Sequence, residues 1–438
     1  MKQWIIIAMC VAAVSVSAQE AQKKTVTPYF RNALTTMMVY HPEDEFGYDV
    51  YEIFNQLAPL EKYDSHPIKV RVIDNSKITG VKGKPNGGLH RQTYGGSMVL
   101  TAAEKEKNGR GMEKLLNDAE VGKRIVAKWF DLQGDSVRTA HFSTRLLEDR
   151  SDYNATVSEV ERARYTAEGM TALRNVSEDL LRHSFVLVSD MTYITAEQRA
   201  DAAKKTLAVL GGVFDALTGG NSGQRLAETA GDIADKYTGF KVFTHSYLYQ
   251  LVWNDSLSNV FYQNYYTEEP NEERILAFLK DETSFQVRYL GEASATYEKT
   301  QKKGKYDRTE LLELITCRSI DNNVAELQHQ FEDFRIKTPI TAVEYNAKGK
   351  LVGFRAQVGQ KEGVKESSTF EVLEAKVEKG RIIYNRVATI KPVNNHIWDN
   401  RFNALLENDE DVLEEGTLFK LVGGASKDIT PGMIIREI

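Results

Sequence analysis

Apolar positions along the chain recur with either a helical or a two-residue period, and these patterns divide the sequence into three parts. In the first part, residues 19–135, four apolar positions at helical spacing predict a helix: Tyr48, Tyr51, Phe54 and Leu57. Two stretches with period two, residues 68–73 and 125–129, predict short strands. We therefore expect a mixed α/β N-terminal domain.

A glycine-rich stretch, residues 80–96, interrupts this first part. It lacks the Lys-Ser/Thr ending of a nucleotide-binding loop and does not lie between a strand and a helix. We interpret it as a connecting loop. The alternative is a functional loop, since loops carry many binding residues.

The second part, residues 136–335, is rich in helix start signals. Two capping boxes predict helix N-termini: Thr156 with Glu159, and Thr195 with Gln198. Residues 185–188 and 240–253 predict strands on either side of two predicted helices. This order favours a crossover connection, so we expect the two strands to lie in one sheet and to run in parallel.

From Lys337 onward the apolar period is two. Turn signals at residues 346–349 and 378–380 predict two hairpins, and about five short strands fit a small barrel with its own core. We therefore predict an all-β C-terminal domain over residues 336–438. The fold class that follows is α+β, with two mixed domains, residues 19–135 and 136–335, preceding the barrel.

The first eighteen residues have the pattern of a secretory signal peptide. Lys2 precedes a short apolar run, and Ser17 and Ala18 provide a small-residue exit before Gln19. Export to the periplasm or the cell envelope is the expected localisation. No later stretch is apolar over the ~18 residues that a transmembrane helix needs, so any membrane association is expected to be peripheral.

Composition narrows the choice of partners. The 438 residues are 42% apolar and 27% charged, as in a globular protein, and the formal net charge is −6. No basic block offers a contact surface for nucleic acid. Cys317 is the one cysteine outside the predicted signal peptide, which leaves no internal disulfide, and its apolar helical surroundings predict a core residue.

No pattern of catalytic residues is present in the sequence. The eight histidines are scattered singly, without metal-ligand spacing, and no glycine–serine turn has the form of a nucleophile elbow. The acidic run Glu43, Asp44 and Glu45 has the composition of a solvated loop. We therefore predict no catalytic residues, no metal and no cofactor, although a triad assembled from distant residues stays open.

Aromatic residues are concentrated between positions 240 and 266. Four of them share one side of the predicted strand and form the candidate binding face: Phe243, Tyr247, Tyr249 and Trp253. Such a face would stack on a sugar, a peptide or a protein partner. The alternative is the inner face of a sheet covered by helices.

The C-terminal part resembles the SH3-like barrel modules of the flagellar assembly protein T and related cell-envelope assembly proteins. The matching segments are residues 357–359, 361–365, 370–372 and 431–435. The signal peptide and general style are similar to secreted Bacteroidota proteins of unknown function. The resemblance implies an envelope-associated role without catalysis.

Three functions follow as hypotheses. The first is an exported binding or scaffold protein, with a protein or an envelope polymer as its partner. The second is a hydrolase acting on envelope polymers. The third is a curli-secretion-like outer-membrane assembly component, which requires amphipathic strands of ~9–11 residues.

Overall fold

The computed structural model describes residues 32–147, 179–199 and 237–438, apart from short gaps at 61–62, 66–67, 69, 93–98, 303–306, 336, 379–380 and 405–414. The predicted signal peptide, the first capping box at Thr156 and residues 200–236 lie outside the described residues. The second capping box lies within them. Its Gln198 N–H donates to Thr195 Oγ1 at 2.9 Å, and its Thr195 N–H donates to Gln198 Oε1 at 2.9 Å.

A six-stranded mixed sheet forms the first half of the structure. Its strands are β1 Ala33–Tyr40, β2 Asp64–Ser65, β3 Val72–Asp74, β4 Ser184–Thr195, β5 Tyr237–Leu251 and β6 Val287–Lys302. β1 pairs in parallel with β2, β3 and β4, and β5 pairs antiparallel with both β4 and β6. The parallel strands therefore lie at one side of the sheet, and the long antiparallel strands at the other.

The predicted direction of the two central strands is wrong. The strands around residues 185–188 and 240–253 share a sheet, as predicted, but Phe185 pairs with Gln250 and Thr195 with Phe240, so they run antiparallel. The chain thus leaves β4 and enters β5 at the same end of the sheet. Predicting helices between two strands does not determine at which end of the sheet the chain enters the second strand, so it does not determine the strand direction.

Helices cover both faces of the sheet. They are α1 Gly47–Gln56, α2 Ala102–Asp118, α3 Val121–Trp129, α4 Asp255–Asn264, α5 Glu272–Lys280 and α6 Arg308–Gln330. α1 and α6 bury apolar residues on one face, and α2 to α5 on the other. None of the helices in the described part of the chain combines the length and the apolar composition needed to cross a bilayer.

Three local predictions about these elements need correction. Residues 125–129 belong to α3 and not to a strand, because Val121, Ile125 and Trp129 are buried along one helical face. The helix predicted near residue 48 is present as α1, but it buries Val50, Ile53 and Phe54 and leaves Tyr48 66% exposed. Of the predicted strand over 68–73, Val72 and Ile73 lie in β3.

The remaining strands close into a barrel. They are β7 Lys337–Tyr345, β8 Leu351–Ala356, β9 Phe370–Glu378, β10 Arg381–Pro392, β11 Thr417–Gly424 and β12 Ile434–Glu437. The order β10-β11-β8-β7-β12-β9 is closed by pairing of β9 with β10. Both predicted hairpins are present, since β7 pairs with β8 and β9 with β10. A separate apolar core, including Phe354, Phe370 and Phe419, fills the barrel. The α+β class is therefore confirmed.

Candidate functional site

A cavity of about 300 Å³ lies where β1 ends and β4 continues beyond it. Ser189 is the last residue of β4 that pairs with β1, and β4 extends to Thr195. Ligands in open α/β sheets commonly bind outside the carboxyl ends of parallel strands, where the strand order reverses. The order reverses at β1, which has β2 and β3 on one side and β4 on the other. The cavity occupies such a place, between β4, the segment that follows β1 and the end of the glycine-rich loop.

His41 lines this cavity and forms a buried pair with Asp190, which lies behind it. His41 follows β1 directly, and its Nε2 lies 2.7 Å from Asp190 Oδ1 on β4. Each side chain is only 3% exposed. Burial alone would raise the pKa of Asp190, but the hydrogen bond from His41 and the charge of Arg91 lower it. Asp190 is therefore ionised, and His41 Nε2 carries the donated hydrogen.

Arg91, near the end of the described part of the glycine-rich loop, ties the cavity walls together. Its guanidinium donates to both carboxylate oxygens of Asp44, at 3.1 and 2.6 Å. It also donates to the Met191 carbonyl and to Thr192 Oγ1, both on β4. Burial would lower the pKa of Arg91, but the neighbouring carboxylates raise it, so this side chain stays charged. The loop prediction is confirmed, and the loop contributes to the site.

The turn that carries His41 into helix α1 depends on a glycine. The Gly47 N–H donates to the Asp44 carbonyl at 3.0 Å, and the Asp44 N–H donates to the His41 carbonyl at 3.2 Å. A Cβ placed on Gly47 would lie 2.2 Å from the His41 carbonyl oxygen. Because position 47 has no side chain, the turn can close in this way and place His41 beside Asp190.

We expect Gly47→Ala to lower the free energy of unfolding by about 1–2 kcal/mol, because the added methyl group must displace the His41 backbone. Gly423→Ala is the matched control, since its nearest neighbours would lie 3.8 Å from the added carbon. Urea denaturation of both variants measures the difference. Equal stability of the two variants would show that the turn adapts without cost.

Acidic side chains surround the cavity mouth. Glu43 is 60% exposed, while Asp44 is part-buried and held by Arg91. Glu45 accepts a hydrogen bond from Gln198 Nε2 at 2.9 Å. The acidic run is thus only partly the solvated loop that its composition predicts.

Two buried polar atoms at this site, His41 Nδ1 and Arg91 Nε, make no hydrogen bond. His41 Nδ1 is buried and makes no hydrogen bond, and the Glu43 carboxylate oxygen Oε1 lies 3.5 Å away. Nε2 makes the hydrogen bond with Asp190, so Nδ1 is the ring nitrogen that is left without one. It lies beside the Glu43 carboxylate at the cavity.

A second polar group lies next to Asp190 on the sheet. His245 of β5 pairs opposite Asp190, and its Nδ1 lies 2.8 Å from Ser294 Oγ on β6. Ser294 donates to Glu292, which also accepts from Lys105. Burial lowers the pKa of His245, an effect that the charge of Asp190 opposes. Since Ser294 gives its hydroxyl hydrogen to Glu292, this chain serves to fix the side chains in place.

The predicted aromatic face lies mostly in the core. Tyr247 and Tyr249 are fully buried and Trp253 is 6% exposed, in a cluster covered by α2 to α5. The Tyr249 hydroxyl donates to the Gly109 carbonyl of α2 at 3.0 Å, and Tyr247 accepts from Asn108. Phe243 is part-exposed under Lys241. The expected open binding face is therefore corrected to the core alternative for three of its four residues.

The hydroxyl groups along the cavity are already engaged. Thr192 Oγ1 donates to the Gln92 carbonyl and accepts from Arg91. The Tyr193 hydroxyl bonds to Thr316, and burial raises the pKa of Tyr193. Burial likewise raises the pKa of Cys317, which disfavours the reactive thiolate. Its side chain is only partly buried, so the prediction of a core residue is not fully met. None of these groups is poised as a nucleophile for His41.

Two comparisons with known proteins give no relative of this chain. No protein-family model matches the chain, and no curated protein is found to be similar to it. Within the described residues, no three His, Cys, Asp or Glu side chains converge closely enough to hold a metal ion. His41, Arg91 and Asp190 were not singled out by the sequence, because no spacing rule links three residues so far apart.

Proposed function

We propose that this chain is an exported, periplasmic or envelope-associated binding protein that acts without catalysis, and that a ligand group enters the cavity at His41. The observation that carries the proposal is His41 Nδ1 at that cavity, a buried atom that makes no hydrogen bond. Buried polar atoms normally have hydrogen-bond partners, so a buried atom without one beside a cavity favours a bound ligand. The export part rests on the sequence of residues 1–18.

The engaged hydroxyls support binding over catalysis. A nucleophile must lie within hydrogen-bond reach of its base, and the threonine and tyrosine hydroxyls along the cavity bond elsewhere. Arg91 is ion-paired with Asp44 and lies within 4 Å of carboxylate oxygens of Glu43 and Asp190, so its charge is already engaged by the protein. The site therefore presents acceptor atoms and an apolar wall to a ligand.

The C-terminal barrel is the second proposed contact surface, an SH3-like module for a protein or envelope polymer. Its closed ring of six strands supports this assignment. Three large apolar side chains are exposed on the neighbouring strands β7, β8 and β11: Tyr345, Val352 and Val422. Exposed apolar groups of this kind are used in protein contacts.

Cavity filling tests the proposal. We expect Gln92→Trp to reduce capture of an envelope ligand by the immobilised chain at least about tenfold, because Gln92 lines the cavity. Mass spectrometry of material eluted from wild type and variant is the measurement. Gln263→Trp, on the exposed side of α4, is the control. A Tyr345→Ser variant tells barrel contacts from cavity contacts, and identical captures by wild type and Gln92→Trp would contradict the cavity as the ligand site.

A hydrolase is the second candidate, favoured by the His41–Asp190 pair. An aspartate that orients a histidine leaves the other ring nitrogen able to take a proton from water. Turnover of a glycan, peptide or ester that disappears in His41→Gln would establish this activity. No turnover across such a panel would leave the binding function.

A further inference from the structure

We propose that the outer face of helix α1 binds an arginine-bearing segment of a protein partner, at a surface distinct from the cavity and the barrel. Three rings, the tyrosine row, lie along this face. Tyr48 stacks on Tyr51 with 6.2 Å between centroids, and Tyr51 packs at 5.5 Å against Tyr40 at the end of β1. Tyr48 is 66% exposed, and the other two rings are half-buried. Tyrosine is enriched in protein interfaces, since its ring gives a large contact area at a low cost in entropy.

Carboxylates accompany the tyrosine row because of the helical period. Tyr48, Tyr51 and Glu52 are three or four positions apart or adjacent, so they share the outer face of α1. Glu52 lies beside the Tyr48 hydroxyl, and its charge raises the pKa of that hydroxyl. Asp49 is exposed one turn before Glu52. The tyrosine row thus has two carboxylates beside it.

The negative charge of these two carboxylates is not offset by ion pairs. In the part of the chain that the structure describes, neither Asp49 nor Glu52 pairs with a basic side chain. Two basic side chains near this helix lie over buried rings instead: Arg71 over Phe54 and Arg308 over Phe46. A cation would be attracted to this face, whereas an anion would be repelled.

The chain itself shows which cation suits a tyrosine ring flanked by carboxylates. The guanidinium carbon of Arg110 lies 5.3 Å from the centroid of the Tyr289 ring. The same guanidinium pairs with Glu106 at 3.3 Å and with Glu113 at 3.1 Å. A planar guanidinium stacks on a ring and donates to carboxylates at the same time, which the compact, strongly hydrated ammonium of lysine does less well. The tyrosine row presents the same two kinds of group to an arginine from outside.

The spacing of the rings favours an extended peptide as the carrier of this arginine. Alternate side chains of an extended strand are about 6.6–6.8 Å apart, close to the 5.5 and 6.2 Å between neighbouring rings of the tyrosine row. Arginines at alternate positions would therefore meet successive rings. A neutral sugar would stack on the rings too, but it would leave the charge of Asp49 and Glu52 unused.

Fluorescence polarisation with residues 19–438 tests the inference. The probe is a fluorescein-labelled peptide of four Ser-Arg repeats, and its comparison peptides carry citrulline or lysine in place of arginine. Citrulline has nearly the shape of arginine without its charge, so we expect that peptide to bind at least about tenfold more weakly. The lysine peptide should bind about threefold more weakly, because its ammonium stacks less well.

Substitutions on α1 locate the binding face. Tyr48→Ser and Glu52→Gln should each weaken the arginine peptide about threefold, and the double variant about tenfold, because exposed ring and ion-pair contacts are individually weak. The matched controls, Leu279→Ser and Glu282→Gln, replace exposed side chains elsewhere and should not change the affinity. Urea denaturation checks that every variant is folded.

Each contrary outcome contradicts a stated part of the inference. Equal binding of the citrulline peptide, equal losses in the control variants, or no binding of the arginine peptide would overturn it. Equal binding of the lysine peptide would overturn the choice of a guanidinium. A chitin hexasaccharide that binds and is lost in Tyr48→Ser, without binding of the arginine peptide, would replace the protein partner by an envelope glycan. The capture experiment with Gln92→Trp decides the cavity separately.

Discussion

Asp190→Asn should lower the free energy of unfolding by about 3 kcal/mol, because it removes one member of a buried charged hydrogen-bond network. Arg91 Nε lies 3.7 Å from Asp190 Oδ1, the same oxygen that accepts from His41, and has no hydrogen bond of its own. An asparagine oxygen at that position could still accept from His41. It would not carry the negative charge that stabilises both His41 and the Arg91 guanidinium.

The pH dependence of stability provides a second readout of the same change. The pKa of Asp190 is lower in the folded protein than its usual value of about 3.9. An aspartate with a lowered pKa contributes stability above its unfolded pKa, and this contribution is lost as the pH falls through the folded pKa. The stability difference between wild type and Asp190→Asn should therefore shrink below about pH 4.

A surface variant and a second substitution serve as controls for Asp190. Asp118→Asn removes an exposed partner of Lys114, and exposed pairs contribute less than about 1 kcal/mol. In a double-mutant cycle, Asp190→Asn and His41→Gln should be coupled, since the two side chains are in direct contact. Additive losses would show that the pair stores no interaction free energy.

Local patterns predicted the elements of this fold better than their arrangement. The barrel strands follow a period of two because alternate side chains enter one core, so residues after Lys337 reveal their strands directly. Residues 125–129 fit both periods, and burial of Val121 together with Ile125 and Trp129 decides for the helix. A five-residue window does not contain that contact.

The residues of the candidate site could not be predicted from the sequence, and the physical reason is similar. His41 and Asp190 are 149 positions apart, and they meet only because β1 pairs in parallel with β4. Arg91 contacts them from a loop whose glycines predict turns. Those glycines do not predict which strands the loop will contact. Strand order is a property of the whole chain, so three scattered residues carry no local signal of their convergence.

The aromatic strand shows how the same pattern supports two opposite interpretations. Stacking surfaces and covered sheet faces both place aromatic rings on alternate positions. Here α2 covers the rings, because the Tyr249 hydroxyl of β5 donates to the Gly109 carbonyl. Gly109 also allows α2 a close approach to β6, since a Cβ on it would lie 2.4 Å from the Tyr289 ring. The rings lie in the core because helix α2 covers them. The sequence of the strand itself contains no information about that helix.

Tyr249→Ala should accordingly lower the free energy of unfolding by about 3–5 kcal/mol, the usual cost of truncating a large buried aromatic side chain. Tyr249 is fully buried, contacts the Tyr289 ring at 5.6 Å between centroids, and donates to the Gly109 carbonyl. The substitution removes all three contributions and leaves a cavity between β5 and α2. Chemical denaturation followed by circular dichroism is the measurement.

Phe243→Ala is the matched control, because Phe243 lies on the same strand and shares the parity of Tyr249 but is part-exposed. Its ring has Lys241 Nζ at 5.0 Å from the centroid, a contact that contributes about 0.5–1 kcal/mol at exposed sites. The loss at position 243 should therefore be well below that at position 249. Similar losses at the two positions would contradict the burial gradient along β5, whereas loss of ligand capture without loss of stability in Tyr249→Ala would restore the aromatic strand as a binding face.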